Sequence, residues 1–349
     1  MKKSLLFFAL LSISFMSFSQ TIRRVNNTQG LNDPSVYATA QAAHDAAKDG
    51  DIIQLEPSDS PNYGDLTVTK RITILGIGYN LGNTSNTFFD KRVPKLNVIQ
   101  FNLGSTKSTI MGVEVLGGIL LNTDNISVSR CKTSITLGMM YDSDKDKYSY
   151  GNNATIVQCL IGNISGYAWQ SDPTTGNKFI ISNNIIQGAI ANLYNSVISN
   201  NIFQSSSSQC LSSSAGCIFS NNIIDARDGS SDFLVVDGSV TGSTISNNLC
   251  TTFTGLPTGG GNVNKANAIT IFKVANPWET FIDSNFQLAD KSPAKTVGAG
   301  GTAIGAYAGG NPYVPSGVPA GPAITSFMSS GFGSTTTPIN ITTSVRSNN

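Results

Sequence analysis

Four segments of the chain share one short pattern, in which an apolar residue and a serine precede two asparagines and a further apolar run. They are FIISNNIIQ (179–187), VISNNIFQ (197–204), IFSNNIIDA (218–226) and TISNNLC (244–250). The first asparagine stands at positions 183, 200, 221 and 247, so the steps are 17, 21 and 26 residues. An irregular period of this size, without sustained helical periodicity, is typical of a solenoid with loops of different length.

Two earlier segments carry the same pattern with other residues in the asparagine positions. ISVSRCKT has Arg130-Cys131 there, and TIVQCLI has Gln158-Cys159. Further short β-branched runs, DIIQL, LTVTKRITILG, LNVIQFNLG and STIMGVEVLGG, fit still earlier turns. The sequence therefore predicts a stack of turns built from strands.

The paired asparagines are interpreted as scaffold. Strands of successive turns lie about 4.8 Å apart, so equal side chains form ladders in which amides bond to one another. Asparagine also tolerates the left-handed backbone of a tight corner. We predict that each SNN is a corner between two sheets, and that Asn201 points inwards between Asn184 and Asn222. The flanking apolar residues are expected to stack in the core: Ile181, Ile198, Phe219 and Ile245.

The first nineteen residues have the pattern of a secretion signal, with Lys2 and Lys3 before an apolar core from Leu5 to Phe15 and small residues at Ser17 and Ser19. We expect a secreted or cell-surface protein with no transmembrane segment. Removing the signal leaves 20 basic and 21 acidic residues. This balance gives no electrostatic reason to expect nucleic acid as a partner.

Five cysteines remain, and an odd number leaves at least one unpaired within a monomer. Cys210 and Cys217 bracket a short Ser-rich loop and are the best candidates for a disulfide. Burial of the cysteines as small apolar side chains fits equally well.

Both ends of the mature chain resemble secreted β-helix proteins of the pectin-lyase-like fold. ATAQAAHDAAKDGDIIQLEPSDSPNYGDLTVTKRITILGIG (38–78) is similar to their opening, with an alanine-rich capping helix, a Gly-Asp and a K-x-I-T-I-x-G strand. FQLADKSPAKTVGAGGTAIGAYAGG (286–310) is similar to their SPA…IGA closing segment. The expected buried stripe of the helix is Val36, Ala40, Ala43 and Ala47, and Gly50 is expected to end the helix.

The resemblance implies an all-β protein, a right-handed parallel β-helix solenoid with a short N-terminal capping helix and a small C-terminal β/coil tail. The expected divisions are a signal peptide (1–19), an N-terminal segment and capping helix (20–49), the β-helix (50–290), a closing segment (291–316) and a tail (317–349). Within the tail, ITSFM and PINITTSV have the composition of strands. The fold says little about activity, because the family includes lyases, hydrolases, adhesins and proteins with no assigned activity.

Catalytic signatures of the family match this chain poorly. Polygalacturonases carry an NTD motif, an Asp pair and a Gly-His-Gly; this chain has Asn122-Thr123-Asp124, no Asp-Asp, and one histidine, His44, in the capping helix. A polar turn therefore explains the NTD better than a two-carboxylate site.

Lyases of this fold use an Arg or Lys base. Arg130 and Arg227 are the candidates, with Asp225 beside the latter. A solvated ion pair explains Arg227 more simply.

The run YDSDKDKYSYGNN places Asp142, Asp144 and Asp146 at alternate positions, as in calcium loops. An EF-hand requires Gly at the sixth position and a carboxylate at the twelfth, where this chain has Lys147 and Asn153. A solvated run of charges is the preferred interpretation, and calcium is the only cofactor that the sequence suggests.

Aromatic residues concentrate in neighbouring insertions, where they are expected either to cover the flank of the solenoid or to line a glycan-binding surface. They are Tyr141, Tyr148, Tyr150, Tyr167, Trp169 and Tyr194. The sequence favours a non-catalytic scaffold that contacts polysaccharide or a cell-surface glycan. The alternative is a polysaccharide-degrading enzyme, in the first place a uronate lyase.

Overall fold

Short parallel strands, stacked turn upon turn, form nearly all of the regular structure. The computed structural model describes residues 20–31, 33–83, 90–142, 147–166, 176–204, 209–226, 238–251 and 255–347. The expected signal peptide lies outside these residues. Within them the chain has one α-helix, α1 (Ala40–Ala46), and 26 strands. Short 3-10 turns occur at Leu81–Asn83, Ala268–Thr270, Asp283–Phe286, Pro293–Lys295 and Pro315–Gly317.

The first sheet contains eleven parallel strands, and from β3 onwards each successive turn adds one. In spatial order they are β2 (Val36–Tyr37), β1 (Ile22–Val25), β3 (Ile52–Leu55), β5 (Thr73–Leu75), β7 (Thr109–Met111), β9 (Ser127–Ser129), β13 (Thr155–Val157), β15 (Ile180–Ser182), β18 (Val197–Ser199), β21 (Ile218–Ser220) and β23 (Thr244–Ser246). The sheet thus begins ahead of residue 50, with β1 and β2.

The second sheet also contains eleven strands, and it is parallel throughout. Nine follow one another as β4 (Leu66–Val68), β6 (Lys95–Phe101), β8 (Glu114–Leu121), β10 (Lys132–Leu137), β14 (Leu160–Ser165), β16 (Ile185–Ile186), β19 (Ile202–Gln204), β22 (Ile223–Asp225) and β24 (Leu249–Cys250). The other two, β17 (Ile190–Ala191) and β20 (Leu211–Ser212), continue from the second half of β14. The expected parallel β-helix is therefore confirmed.

Two antiparallel hairpins stand apart from the solenoid sheets. β11 (Met139–Asp142) pairs with β12 (Lys147–Tyr150), and β25 (Pro322–Ser329) pairs with β26 (Ile341–Ser347). The second hairpin contains both tail segments that were predicted to form strands.

From β7 to β23, each of the seven first-sheet strands lies between two left-handed corners five residues apart. The corner after the strand is Gly112, Arg130, Gln158, Asn183, Asn200, Asn221 or Asn247, with φ between 51° and 70°. The corner before it is Lys107, Asn125, Asn153, Lys178, Asn195, Gly216 or Gly242, with φ between 52° and 67°. The first-sheet segment therefore has a constant length, and all variation of the repeat falls on the rest of the turn.

The second residue of each pair points inwards and forms the predicted ladder. Asn201 Nδ2 donates to Asn222 Oδ1 at 3.0 Å, and Asn201 Oδ1 accepts from Asn184 Nδ2 at 3.0 Å. The same bonds join Asn222 to Asn248 and Asn248 to Asn262. The prediction for Asn201 is confirmed, since it is fully buried between these two neighbours.

The apolar residues beside the ladder fill the interior. Ile181, Ile198 and Phe219 are fully buried, as predicted, whereas Ile245 is only partly buried. Phe219 also packs against Phe203, with ring centroids 5.5 Å apart.

The cap at the N-terminal end differs from its prediction in two details. Ala40, Ala43 and Ala47 are buried as expected, and Thr39 caps the helix N-terminus. Val36 is part of strand β2, because its backbone pairs with β1. The helix ends before Gly50, because Ala47 already has extended backbone angles.

The predicted disulfide between Cys210 and Cys217 is absent: all five cysteines are buried and none forms a disulfide. Cys210 lies beside β20 in the second sheet, whereas Cys217 precedes β21 in the first. The two thiols therefore enter the core from different faces of one turn. The alternative prediction, small buried apolar side chains, is confirmed.

Residues 266–319, here called the strap, run back along the outside of the second sheet. Ile271, Phe272, Phe286 and Ile304 of the strap belong to the same buried cluster as outward-facing second-sheet residues. Strap backbone oxygens accept hydrogen bonds from corner side chains: Asn183 donates to Ala306 and Ala308, Gln158 to Pro312, and Arg130 to Val318. The first residue of the corner pair, which is Arg130, Gln158 or Asn183 here, therefore binds the strap. The second residue of each asparagine pair forms the ladder.

Candidate functional site

One column of outward-facing residues on the second sheet changes from charged to apolar along its length. Backbone register places the following residues side by side: Lys95, Glu114, Lys132, Leu160, Ile185, Ile202, Ile223 and Leu249. The apolar part is buried beneath the strap. The charged part remains partly open, so the strap leaves one portion of this face accessible.

Glu114 lies between two lysines in the open portion. Lys132 Nζ is 2.8 Å from Glu114 Oε1, and Lys95 Nζ is 3.4 Å from Glu114 Oε2. The Glu114 side chain is only 10 % exposed, whereas those of the lysines are 37–38 % exposed. The group presents two ammonium ions outwards and keeps its carboxylate beneath them, with one net positive charge.

A groove of about 310 Å³ opens beside this group. Its lining residues are Glu114, Val115, Leu116, Lys132, Thr133, Ser134, Leu160, Gly162 and Gln187. They come from four neighbouring strands and their ends, β8, β10, β14 and β16, so the groove crosses a distance of roughly 14 Å. A side chain at Gly162 would bring its Cβ to 2.4 Å from Ser134 Oγ, so the Ser134 hydroxyl would have to move.

The two insertions that carry most of the candidate aromatic residues follow β10 and β14, two of the strands that line the groove. Hairpin β11–β12 follows β10, and its backbone register pairs Tyr141 with Tyr148 and Met139 with Tyr150. The next insertion follows β14, the neighbour of β10, but Tyr167 and Trp169 lie outside the described residues. The two insertions thus start at the same ends of adjacent strands.

Tyr194 lies one turn further on, in the short link between β17 and β18. It is partly buried, and its backbone N–H donates to Asn177 Oδ1 at 2.9 Å. Tyr194 therefore belongs to the packed part of its turn. In the sequence it follows closely after the second insertion.

Arg130, a candidate base, lies beneath the strap. Its Nε donates to Gln158 Oε1 at 2.8 Å and its Nη1 to Val318 O at 2.9 Å. Burial lowers the pKa of the guanidinium from its usual value. These bonds give Arg130 a role in attaching the strap.

Asp225 is also covered, with 1 % of its surface exposed. Its Oδ2 accepts a hydrogen bond from Trp278 Nε1 of the strap at 2.9 Å. Arg227, the partner suggested by the sequence, lies outside the described residues.

The NTD motif forms a turn within the scaffold. Asn122 Nδ2 donates to Asn102 Oδ1 at 2.7 Å, and Asp124 Oδ1 accepts from the backbone N–H of Asn152 at 3.0 Å. His44 is 2 % exposed and accepts from the backbone N–H of Thr69 at 3.1 Å. Burial lowers the pKa of His44, which favours the neutral ring that this bond requires.

The calcium candidates can be followed only in part. Asp142 ends β11 opposite Lys147, while Asp144 and Asp146 lie outside the described residues. Among the residues that the structure does describe, no cluster of three metal-binding side chains occurs.

Sequence reasoning missed the groove itself. Lys95, Glu114 and Lys132 lie in unrelated stretches of sequence, and only the strand register brings them together. No local sequence pattern marks this charged run, because the segments between the three strands differ in length.

No protein-family model, curated protein or solved structure matches the chain. None of the described helices has the length and apolar character needed to cross a membrane.

Proposed function

We propose that the protein is a secreted β-helix scaffold, of the pectin-lyase-like type, that binds an extended glycan in the groove of the second sheet. The observation that carries this proposal is the open part of the outward column, where Glu114 and Lys132 line a groove crossing four strands and Lys95 contacts Glu114. The capping helix, the parallel sheets and the closing segment support the proposed fold type.

The groove offers the contacts that sugars use. Ser134 and Gln187 supply a hydroxyl and an amide for sugar hydroxyls, and Lys132 supplies a charged donor. Leu116, which is 56 % exposed, provides an apolar surface for the C–H face of a sugar ring. Polar groups of this kind around an apolar patch are typical of ligand sites.

A binding role is favoured over hydrolysis by the carboxyl groups. Among the described residues that line the groove, Glu114 is the only acid, and both of its oxygens face lysines. Glycoside hydrolysis in its usual form requires two carboxyl groups flanking the bond.

The alternative proposal is a uronate lyase. Two lysines beside a groove would neutralise the carboxylate of a uronate, which is the first requirement for proton abstraction next to it. A lyase also creates a double bond that absorbs ultraviolet light, so a simple assay separates the alternatives.

The test is affinity electrophoresis of the protein through pectate, alginate, chondroitin and neutral glycans, with absorbance followed in parallel. We expect retention without an increase in absorbance. Lys132→Ala and Gln187→Ala should each weaken retention about tenfold, the equivalent of 1.4 kcal/mol. Lys291→Ala, which removes an exposed lysine of the strap, is the matched control.

Retention that is equal in all three variants would refute binding in the groove. Absorbance that rises with time would refute the non-catalytic role and favour the lyase. Replacing Tyr148, Tyr167 and Trp169 together by Ala tests whether the insertions extend the binding surface, and unchanged retention would remove them from it.

A further inference from the structure

The outer face of the first sheet differs from the groove side in its regularity. From β5 to β23 the sheet has eight strands of three residues, paired without a register shift. The first and last residue of each strand point outwards, and none of these sixteen residues is charged. The strap covers the second sheet and leaves most of this face open.

The last five strands carry a palindromic column on this face. Their first residues, adjacent in register, are Thr155, Ile180, Val197, Ile218 and Thr244. Exposure is symmetric for the two isoleucines, with Ile180 49 % exposed, Ile218 46 % exposed and Val197 partly buried between them, whereas Thr155 is partly buried and Thr244 is exposed. In residue type the column therefore reads the same in both directions from Val197.

We propose that this face binds a second copy of the same chain, around a two-fold axis that passes through Val197 at right angles to the solenoid. A two-fold interface brings one surface patch against itself, so each residue meets its mirror position in the column. Val197 then faces Val197 of the second copy, and Ile180 faces Ile218. An unrelated partner would not require a palindrome.

The neighbouring column obeys the same axis. Its three central members are Ser182, Ser199 and Ser220, so that hydroxyl groups meet hydroxyl groups beside the apolar contact, while the outer pair places Val157 opposite Ser246. At the border, Lys178 faces the position of Gly216, so that no two lysines meet. The paired faces therefore contain no like-charge contact in these strands.

The overlap is limited because the first sheet ends at β23, two strands beyond the axis. Five strands of overlap, counted with their corners, cover roughly 400 Å² per copy at strand spacings near 4.8 Å. Stable interfaces bury about 800 Å² per partner. The dimer is therefore weak and dependent on concentration, and both grooves, which belong to the second sheet, stay open.

Sedimentation velocity of the full chain, from micromolar to near-millimolar concentration, tests this arrangement. Wild type should shift from monomer to dimer. Val197→Lys should weaken dimerisation at least tenfold, because it places two ammonium groups on the axis. Thr109→Lys, in the same column on β7, lies outside the overlap and should dimerise like wild type. Equal melting temperatures of the two lysine variants confirm that both fold.

A charge-swap variant tests the axis itself. Ile180→Lys and Ile218→Glu should each weaken the dimer, and the double variant should restore it because each lysine then faces a glutamate of the second copy. A wild-type monomer at every concentration would overturn the proposal. So would equal effects of Val197→Lys and Thr109→Lys, or a double variant that remains as weak as the single ones.

Discussion

Replacing Asn201 by leucine should destabilise the solenoid strongly. The side chain makes four hydrogen bonds of 3.0 Å: Nδ2 donates to Asn222 Oδ1 and Ile181 O, and Oδ1 accepts from the backbone N–H and Nδ2 of Asn184. Asn184 Nδ2 retains Ile156 O, and Asn222 Oδ1 retains the backbone N–H of residue 201.

Leucine therefore leaves the buried backbone N–H of Asn184 without a partner, whereas the C=O of Ile181 still pairs with β18 in the sheet. An unsatisfied buried group costs about 1–3 kcal/mol, which is the expected loss for the substitution. Asn201→Cys should be milder, since a thiol occupies the equivalent position at Cys159 and accepts the backbone N–H of Cys131 at 3.4 Å.

Urea unfolding followed by circular dichroism measures the effect. The matched control is Asn97→Leu, the same chemical change at an exposed position of β6. We expect the urea midpoint to be highest for the control, lower for Asn201→Cys and lowest for Asn201→Leu. A midpoint for Asn201→Leu that equals that of the control would refute the energetic role of the ladder.

Three further predictions concern protons and calcium. Burial raises the pKa of Asp283, so wild-type stability should fall as pH rises from the usual Asp value near 3.9 through the folded value, and Asp283→Asn should remove this fall in urea midpoints measured across that range. Burial lowers the pKa of His44, so stability should be complete above about pH 6.5 and decline below it; His44→Gln should flatten this limb, and an unchanged slope would contradict the assignment. If Asp142, Asp144 and Asp146 bind calcium, a chelator should lower the melting temperature of wild type but not of the triple Asn variant, whereas a chelator without effect on wild type would exclude the site.

The ladder and the corners were predictable because they repeat. A recurring SNN restricts both the backbone angle and the stacking, and the inward position of Asn201 follows from these two restrictions. The capping helix was predictable in type but not in its bounds. Val36 pairs in β2 and Ala47 is already extended, and both outcomes depend on contacts with other parts of the chain.

The groove was not predictable, because it depends on register and on the path of the strap. Lys95, Glu114 and Lys132 meet only after insertions of different length have been placed. The sequence suggested Arg130 as a candidate base because it is a basic residue at the end of a strand. Its neighbour Val318 is 188 residues away in sequence, and no local pattern reveals that contact.

The strap changes how the solenoid should unfold. In a simple repeat protein each turn contacts only its neighbours, so the ends open independently. Here Tyr79 and Tyr313, 234 residues apart, share a buried hydrogen bond, and the strap joins early turns to late ones. Early turns cannot open without releasing the strap, so the array should unfold as one unit. The same contacts should slow folding, because the strap can dock only after the turns beneath it have formed.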